Sequence, residues 1–483
     1  MAHWFLVNGV RMIAIYSLPY FEEKYPFLYD VLVNGVPIYT SFRDGVAQRL
    51  KDGAAAVPQV GEEPKGKVSL KRILHGFFKK RKGKKKKTLI FTSTVYRRDK
   101  GRNLAAEYLM DKYPDALVFE WPSRNAVYDN AYFSDENKHK YCPLDYFSLR
   151  LKLYGILHKK EYARLCEECK EKILPLFEKS PPETENERAA VEYLTECLPQ
   201  AYATTATYQK LFAKFFKRYK NVQYAVDFWG GARENIIPAL QGNPQSIELQ
   251  HGIITNHHPG YVYPKFVKDC DLAFFRRKVL VYGEKTKRIL CEGSIFDEKN
   301  VEIIGNPRTR TYKKVFGEKA EARRLILFAS QPYEQDGVGK DYYKTVIPHL
   351  KEVQQIIGSD KRWAGYKLAI KLHPRENNGA AELYKAALDG VEVYDNTSEL
   401  YELLLRSFVQ LTVSSTSLYE AAEFGAPTIA IRYNGVLPKD IYGFETWELV
   451  SAEDIQAIME SLLNKGKYEE YVTYLVEQTK NNM

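Results

Sequence analysis

The chain is 483 residues long, 45% hydrophobic and 27% charged, which excludes a disordered or fibrous protein and allows more than one core. Lys plus Arg exceeds Asp plus Glu by 71 − 61 = 10, and eight basic side chains stand in the nine positions Lys79-Lys80-Arg81-Lys82-Gly83-Lys84-Lys85-Lys86-Lys87. No apolar run reaches the roughly 18 residues of a spanning helix, so a helical integral membrane protein is excluded as well.

The start, Met1-Ala2-His3-Trp4-Phe5-Leu6-Val7, has no basic segment ahead of a long apolar core, and no secretory leader is expected. To about residue 66, short apolar stretches (Met12 to Tyr16, Val31 to Tyr39) alternate with Gly and Pro and read as a hairpin-rich extension. A short helix is expected around Leu70 to Lys80, running into the basic run. Such a run can face an anionic membrane, touch nucleic acid, or serve as a solvated linker. The six cysteines are scattered; only Cys166 and Cys169 have a two-residue gap, with no second pair at zinc spacing, and reduced thiols in a cytoplasmic protein are expected.

A regular alternation begins at residue 88. Strands are expected at Thr88 to Thr92 and Ala116 to Trp121, with a helix Asn103 to Lys112 between them. Residues 144–217 carry apolar positions at helical spacing, broken at Ser180-Pro181-Pro182. Strand Val222 to Phe228, helix Ala232 to Leu240, strand Ser246 to Leu249, strand Val279 to Tyr282, helix Lys285 to Cys291 and strand Val301 to Ile304 complete this half. Gly305-Asn306-Pro307-Arg308 reads as a loop and hinge entry.

A second alternation follows. Strands are expected at Leu325 to Ala329, Tyr366 to Leu372, Val391 to Tyr394, Phe408 to Val413 and Thr428 to Ile431, separated by helices. Helices close the chain at about Ala452 to Asn464 and Tyr468 to Lys480. Strands alternating with helices predict α/β architecture, a parallel sheet covered on both faces, twice over. The expected division is 1–87 extension, 88–310 first Rossmann-like domain with a helical insertion, 311–465 second Rossmann-like domain, and 466–483 terminal helix.

Three strand ends carry chemistry. Val413-Ser414-Ser415-Thr416-Ser417-Leu418-Tyr419-Glu420 runs from a buried-type strand through four hydroxyl residues into a helix. Hydroxyls and first-turn N–H groups there suit an anion, where a plain N-cap would need only one of the four. Glu420 is placed to accept from a ribose. In Lys371-Leu372-His373-Pro374-Arg375-Glu376, the proline disfavours helical geometry at His373 and keeps its imidazole at the strand's carboxyl edge, with Arg375 adding charge.

The third end is Glu248-Leu249-Gln250-His251-Gly252, followed by His257 and His258. An imidazole there suits removal of a proton from a hydroxyl, and Gly252 suits close approach of a ligand to the backbone. No acid is placed with the three histidines to complete a metal site, and Asp269-Cys270-Asp271 is a lone Asp-x-Asp. Neither Gly-x-Gly-x-x-Gly nor a Walker loop occurs after the first strand.

Gln250-His251-Gly252, Gly305-Asn306-Pro307-Arg308, Leu372-His373-Pro374 and Ser414-Ser415-Thr416-Ser417-Leu418-Tyr419-Glu420-Ala421 together resemble a GT-B glycosyltransferase. More narrowly, they resemble the bacterial surface-polysaccharide branch with capsule polysialyltransferases, Kdo transferases and CDP-glycerol glycerophosphotransferases. The resemblance covers roughly residues 220–435. It implies two Rossmann domains facing across a cleft, the second holding a nucleotide-activated donor, with no metal or other cofactor. It also implies that His373, Ser414, Ser415 and Thr416 meet the donor phosphate and that His251 is the base. Asp227 and Glu248, at neighbouring strand ends, are the other base candidates, and Gln250, Gly252, His257, His258 and Arg308 line the acceptor side. One departure is that the acidic pair before a glycine used by polysialyltransferases is missing from the first half; Asp336-Gly337 follows Gln335, past the hinge.

The expected activity is metal-independent, inverting transfer of a sugar from a nucleotide donor, CMP-sugar slightly ahead of UDP-sugar, to a hydroxyl of a bacterial surface glycan or glycolipid. CDP-glycerol or ribitol-type polyol-phosphate transfer and sugar 2-epimerisation are the alternatives. Expected partners are the donor, a glycan or lipid-linked acceptor, and an anionic membrane surface through Lys79–Lys87, placing the protein on the inner face of the membrane. A nucleic-acid reading of that run leaves the His-Pro and Ser-rich strand ends unexplained.

Overall fold

The computed structural model describes residues 18–53, 70–79, 86–97, 100–122, 126–228, 232–317, 323–334, 341–373, 375–376, 378–395, 398–435 and 437–482. They form two compact units, one carrying Thr286–Arg308 and the residues up to Tyr282, the other the residues from Thr309 onward with Gly283–Lys285.

In the first unit a short hairpin, β1 (Leu32–Val33) and β2 (Val36–Pro37), turns at Asn34 and Gly35, whose φ of 48° and 78° fit a type I′ turn. Seven strands then make one parallel sheet: β3 (Thr88–Ser93), β4 (Leu117–Trp121), β5 (Tyr141–Pro143), β6 (Tyr224–Asp227), β7 (Gln245–Leu249), β8 (Lys278–Val281) and β9 (Val301–Ile303). Their order is β5-β4-β3-β6-β7-β8-β9. Counted within the unit this is 3-2-1-4-5-6-7, the doubly wound order with one added strand, and the direction of winding reverses between β3 and β6.

Burial on both faces explains the unbroken apolar runs in β3 and β4. Leu89, Phe91, Leu117 and Phe119 pack on Phe212, Phe215 and Phe216 of the long helix Glu185–Phe216. On the other face Ile90, Val118 and Val226 meet Ala105, Ala106 and Leu109 of the helix Leu104–Lys112. Residues 18–53, expected within a separate extension, instead share a core with Cys169, Ile173, Leu194, Leu198, Val279 and Val281.

The second unit has β10 (Leu325–Ala329), β11 (Lys367–Lys371), β12 (Glu392–Tyr394), β13 (Ser407–Thr412), β14 (Thr428–Ile431) and β15 (Glu448–Leu449). All pair parallel in the order β12-β11-β10-β13-β14-β15, which is 3-2-1-4-5-6 and reverses between β10 and β13. The chain is thus α/β with two Rossmann-like units, as its alternation predicts.

Three local expectations need correction or fall outside these residues. Gly305-Asn306-Pro307-Arg308 is a helix start rather than a loop: Pro307 is the first residue of Pro307–Phe316, and the Asn306 side chain accepts from Arg308 N at 3.0 Å. The helix expected across Ala232 to Leu240 is two short pieces, Ala232–Asn235 and the 3₁₀ turn Ile237–Ala239. The stretches Met12 to Tyr16, Lys80 to Lys85 and Asp336-Gly337 lie outside the described residues. Among the described residues no helix is long and apolar enough to cross a membrane.

Candidate active site

Open parallel sheets bind ligands outside the carboxyl ends of their strands where the winding reverses. In the first unit that point carries Asp227, the last residue of β6, with Glu248 beside it in register on β7. Asp227 Oδ2 accepts from Arg233 N at 3.2 Å, while Oδ1 is buried with no hydrogen-bond partner among the described residues. Burial, then the charges of Glu234 and Glu248, push its carboxyl up to about 7. Burial acts the same way on Glu248 but is outweighed by Arg277 and Arg233, which hold it down at about 2. Arg233 Nη1 donates to Glu248 Oε2 at 3.0 Å, and Arg277 Nε donates to the same oxygen.

The loop after β7 is pinned by Gln250, whose Nε2 donates to Gly252 O at 2.7 Å and whose Oε1 accepts from Tyr282 N at 2.6 Å. His251 Nδ1 stands 3.1 Å from the Tyr261 hydroxyl. Glu248 lies near that hydroxyl, and burial first, then the Glu248 charge, raises the phenol well above its ordinary value. An anionic Glu248 attracts the phenolic proton, and in that arrangement His251 Nδ1 donates toward Tyr261. The neutral imidazole of that tautomer carries its lone pair on Nε2. Burial, with the neighbouring His258, lowers His251 to about 4, so it is in the base form at neutral pH.

His258 Nδ1 accepts from Gly260 N at 3.1 Å, and its ring lies 6.0 Å from that of His251. Burial lowers both His257 and His258. A Cβ on Gly252 would meet nothing within 4 Å, so the space over its backbone is open. The N-terminal residues brace this loop from below. Arg43 pairs with Glu22 at 2.6 Å and donates to Pro259 O, and Tyr29 and Tyr39 donate to Glu22 at 3.0 and 2.9 Å.

In the second unit the reversal point lies between β10, followed by Ser330, and β13, followed by Val413 and Ser414. His373 follows β11 on the far side of β10, so the two strand ends stand about 10 Å apart. Glu376 organises the His373 turn: it accepts from His373 N at 2.6 Å, Ser330 Oγ at 2.8 Å and Tyr343 OH at 2.9 Å. Arg375 N donates to His373 Nδ1 at 3.2 Å, which places the proton of a neutral ring on Nε2. The Arg375 side chain is exposed.

The four hydroxyls do not act alike. Ser414 Oγ bonds to Tyr333 OH and is half-buried, and Thr416 is exposed. Ser417 is buried, donating to Ser415 Oγ at 2.8 Å and accepting from Gln410 Nε2 at 2.9 Å. The first-turn amides of Ser417, Leu418 and Tyr419 already bond to Ser415 Oγ, Ser415 O and Thr416 O. Anion binding here thus falls to side chains. Glu420 accepts from Tyr401 OH. Arg308 stands in the first turn of its helix, at the end of the first unit. Among the described residues no group of three or more His, Cys, Asp and Glu could hold a metal ion.

The acids and histidines at strand ends were readable in the sequence. Arg233, Arg277, Tyr261, Glu22, Arg43 and Glu376 were not singled out as site residues, and only a Glu three positions after His373 offered a local signal.

No family model matches the sequence, and no curated protein matches it. Solved structures of similar fold include a glycosyltransferase from Rickettsia africae ESF-5, with 12% identity and a TM-score of 0.45 over 82% of this chain and 94% of that one. Another is the wall teichoic acid polymerase TagF, with 15% identity and a TM-score of 0.42 over 85% and 89%. A third is S. aureus MnaA with UDP, with 11% identity and a TM-score of 0.44 over 82% and 92%. Likeness at this level assigns no residue and no reaction to this chain.

Proposed function

We propose that the protein is a group-transfer enzyme that moves a glycosyl unit from a nucleotide-activated donor to an acceptor hydroxyl. The supporting observations are the contacts of the two strand-end histidines, which favour opposite tautomers. His251 presents a lone pair on Nε2, suited to accept a proton. His373 presents a proton on Nε2, suited to donate to a phosphate oxygen.

In the proposed step the acceptor oxygen forms a bond to the anomeric carbon as its proton passes to His251 Nε2. The bond from that carbon to the nucleotide phosphate breaks, and the electron pair leaves on the phosphate oxygen. His373 Nε2–H and the Arg375 guanidinium offset the new charge there, with Ser414 and Thr416 within the same strand-end group. A single displacement inverts the anomeric centre. A CMP-linked sugar is the first donor to test, followed by a UDP-linked sugar; the acceptor proposed is a surface glycan or glycolipid. Asp227, titrating near neutrality, is the second base candidate.

The test is a panel of CMP-, CDP-, UDP- and GDP-linked donors scored by thermal shift, then turnover with the stabilising donor. His373→Ala should lose the donor shift and the turnover while its own melting profile stays folded. His251→Gln should keep the shift and lose turnover. Near-normal turnover in His373→Ala would overturn the assignment.

A further inference from the structure

Seven of the thirteen large apolar side chains exposed among the described residues fall on two neighbouring helices of the first unit, and this concentration sets the surface apart. They are Leu70, Leu74 and Phe78 on Leu70–Lys79, and Leu149, Leu153, Ile156 and Leu157 on Asp145–Leu157, 43% to 78% exposed. The spacing of four in each helix puts them on one stripe per helix. The helices meet at Phe77 and Tyr146, whose rings are 5.4 Å apart.

The helix Leu70–Lys79 is fixed, not loosely laid on the surface. Its inner face carries Arg72, which is fully buried and bonds to Asp145 at 3.0 Å and Glu120 at 3.2 Å. His75 Nδ1 bonds to Tyr132 OH at 2.5 Å. Gly76 lies so close against β5 that a Cβ there would collide with Pro143 O. A buried ion pair and a glycine contact therefore hold the opposite, leucine-bearing face outward.

Cations border the stripes. Lys71 and Lys87 are exposed, as are Lys159 and Lys160 just past the second helix, and Arg150 is half-exposed on it. The sequence leaving the first helix adds the eight basic residues in nine positions. Leucines with a lysine and arginine border match the two layers of an anionic membrane surface, acyl boundary and headgroup. Nucleic acid would use the cations and gain nothing from the leucines. A second copy paired about a two-fold axis would set the same cations against each other.

We propose that these two helices form a docking surface for an anionic phospholipid bilayer, with the leucine and phenylalanine stripes entering the headgroup boundary. This goes beyond the transfer reading and does not depend on it, because the experiment scores binding rather than turnover.

The full chain is sedimented with vesicles of phosphatidylcholine alone and of equal parts phosphatidylcholine and phosphatidylglycerol. Binding to the anionic vesicles only is expected. Leu74→Glu with Phe78→Glu, and separately Leu153→Glu with Ile156→Glu, should each weaken it by at least about tenfold. Leu383→Glu, an equally exposed leucine in the second unit, is the control and should bind like the parent. Unchanged melting curves show that the variants fold. Parent protein that ignores anionic vesicles, or stripe variants that bind like the parent, would overturn the proposal. So would a dimer that the stripe variants convert to monomer, or binding that follows the lysines while both stripe variants leave it intact.

Discussion

Replacing Asp227 by asparagine should leave stability nearly unchanged at pH 5 and raise it at pH 8. The native carboxyl titrates near 7, against an ordinary value of 3.8. A carboxyl whose native value is raised holds its proton in the folded state after the unfolded chain has released it. Ionisation therefore favours the unfolded chain once pH passes 3.8, and the native penalty grows until pH reaches about 7. Between pH 5 and pH 8 this one group removes about 2 to 3 kcal/mol from the wild type, at 1.36 kcal/mol per tenfold change in proton affinity.

The asparagine side chain cannot ionise and escapes that loss. Its carbonyl can still accept from Arg233 N, but its amide enters the space around the partnerless Oδ1, at a cost of about 1–2 kcal/mol. At pH 5 the wild type has already lost about 1.6 kcal/mol, so the two proteins should be of similar stability, and at pH 8 the variant should be more stable by about 2–3 kcal/mol. The assay is urea unfolding of the transition belonging to the first unit, at both pH values and constant ionic strength. Nearby His251 titrates in part of the same window, but Asp227 is not among the groups that set it, so its contribution cancels between the two proteins. A destabilisation of equal size at pH 5 and pH 8 would refute the reasoning, because it would mean that the carboxyl titrates normally.

Tyr261→Phe removes the hydroxyl that His251 Nδ1 contacts and frees the imidazole to adopt either tautomer. Turnover should fall by about ten- to a hundredfold while the donor-induced thermal shift is unchanged; a parallel loss of donor binding would contradict the role given to this tyrosine. Glu376→Ala leaves His373 N, Ser330 and Tyr343 without their shared acceptor. It should cost about 2–4 kcal/mol and weaken the donor-induced shift, both read from melting curves with and without donor.

Both sheets were legible because doubly covered strands are apolar in their middle, as Leu325–Ala329 is throughout and Thr88–Thr92 is between its two threonines. β5 was not, because Tyr141-Cys142-Pro143 is three residues long, ends in proline and sits at a sheet edge, where a strand needs no long apolar run. Asn306-Pro307 did carry a helix-start signal, a capping side chain followed by proline, but the glycine before it, at φ 70°, reads equally as a loop. The four hydroxyls after β13 look equivalent in sequence. Ser417 separates from them only because Gln410 on β13 reaches it, a contact set by how strand and helix pack. The Glu22–Arg43 brace is invisible for the same reason: neither residue carries a local pattern, and burial beneath the histidine loop is what gives the pair its role.

The chemistry of Asp227 and Glu248 follows from this division between local pattern and packing. In sequence they are two acids at the ends of adjacent strands, interchangeable as candidate bases. Packing bonds two guanidinium groups to Glu248, and gives Asp227 one backbone amide, the Arg233 charge and two carboxylate neighbours. The same burial then keeps one ionised far below neutrality and brings the other to about 7. Divergence of this kind assigns roles: a permanently charged Glu248 can hold Tyr261 and, through it, orient His251, whereas Asp227 can exchange a proton at physiological pH. We therefore propose Glu248 as a positioning residue, which leaves His251 and Asp227 as the candidate bases.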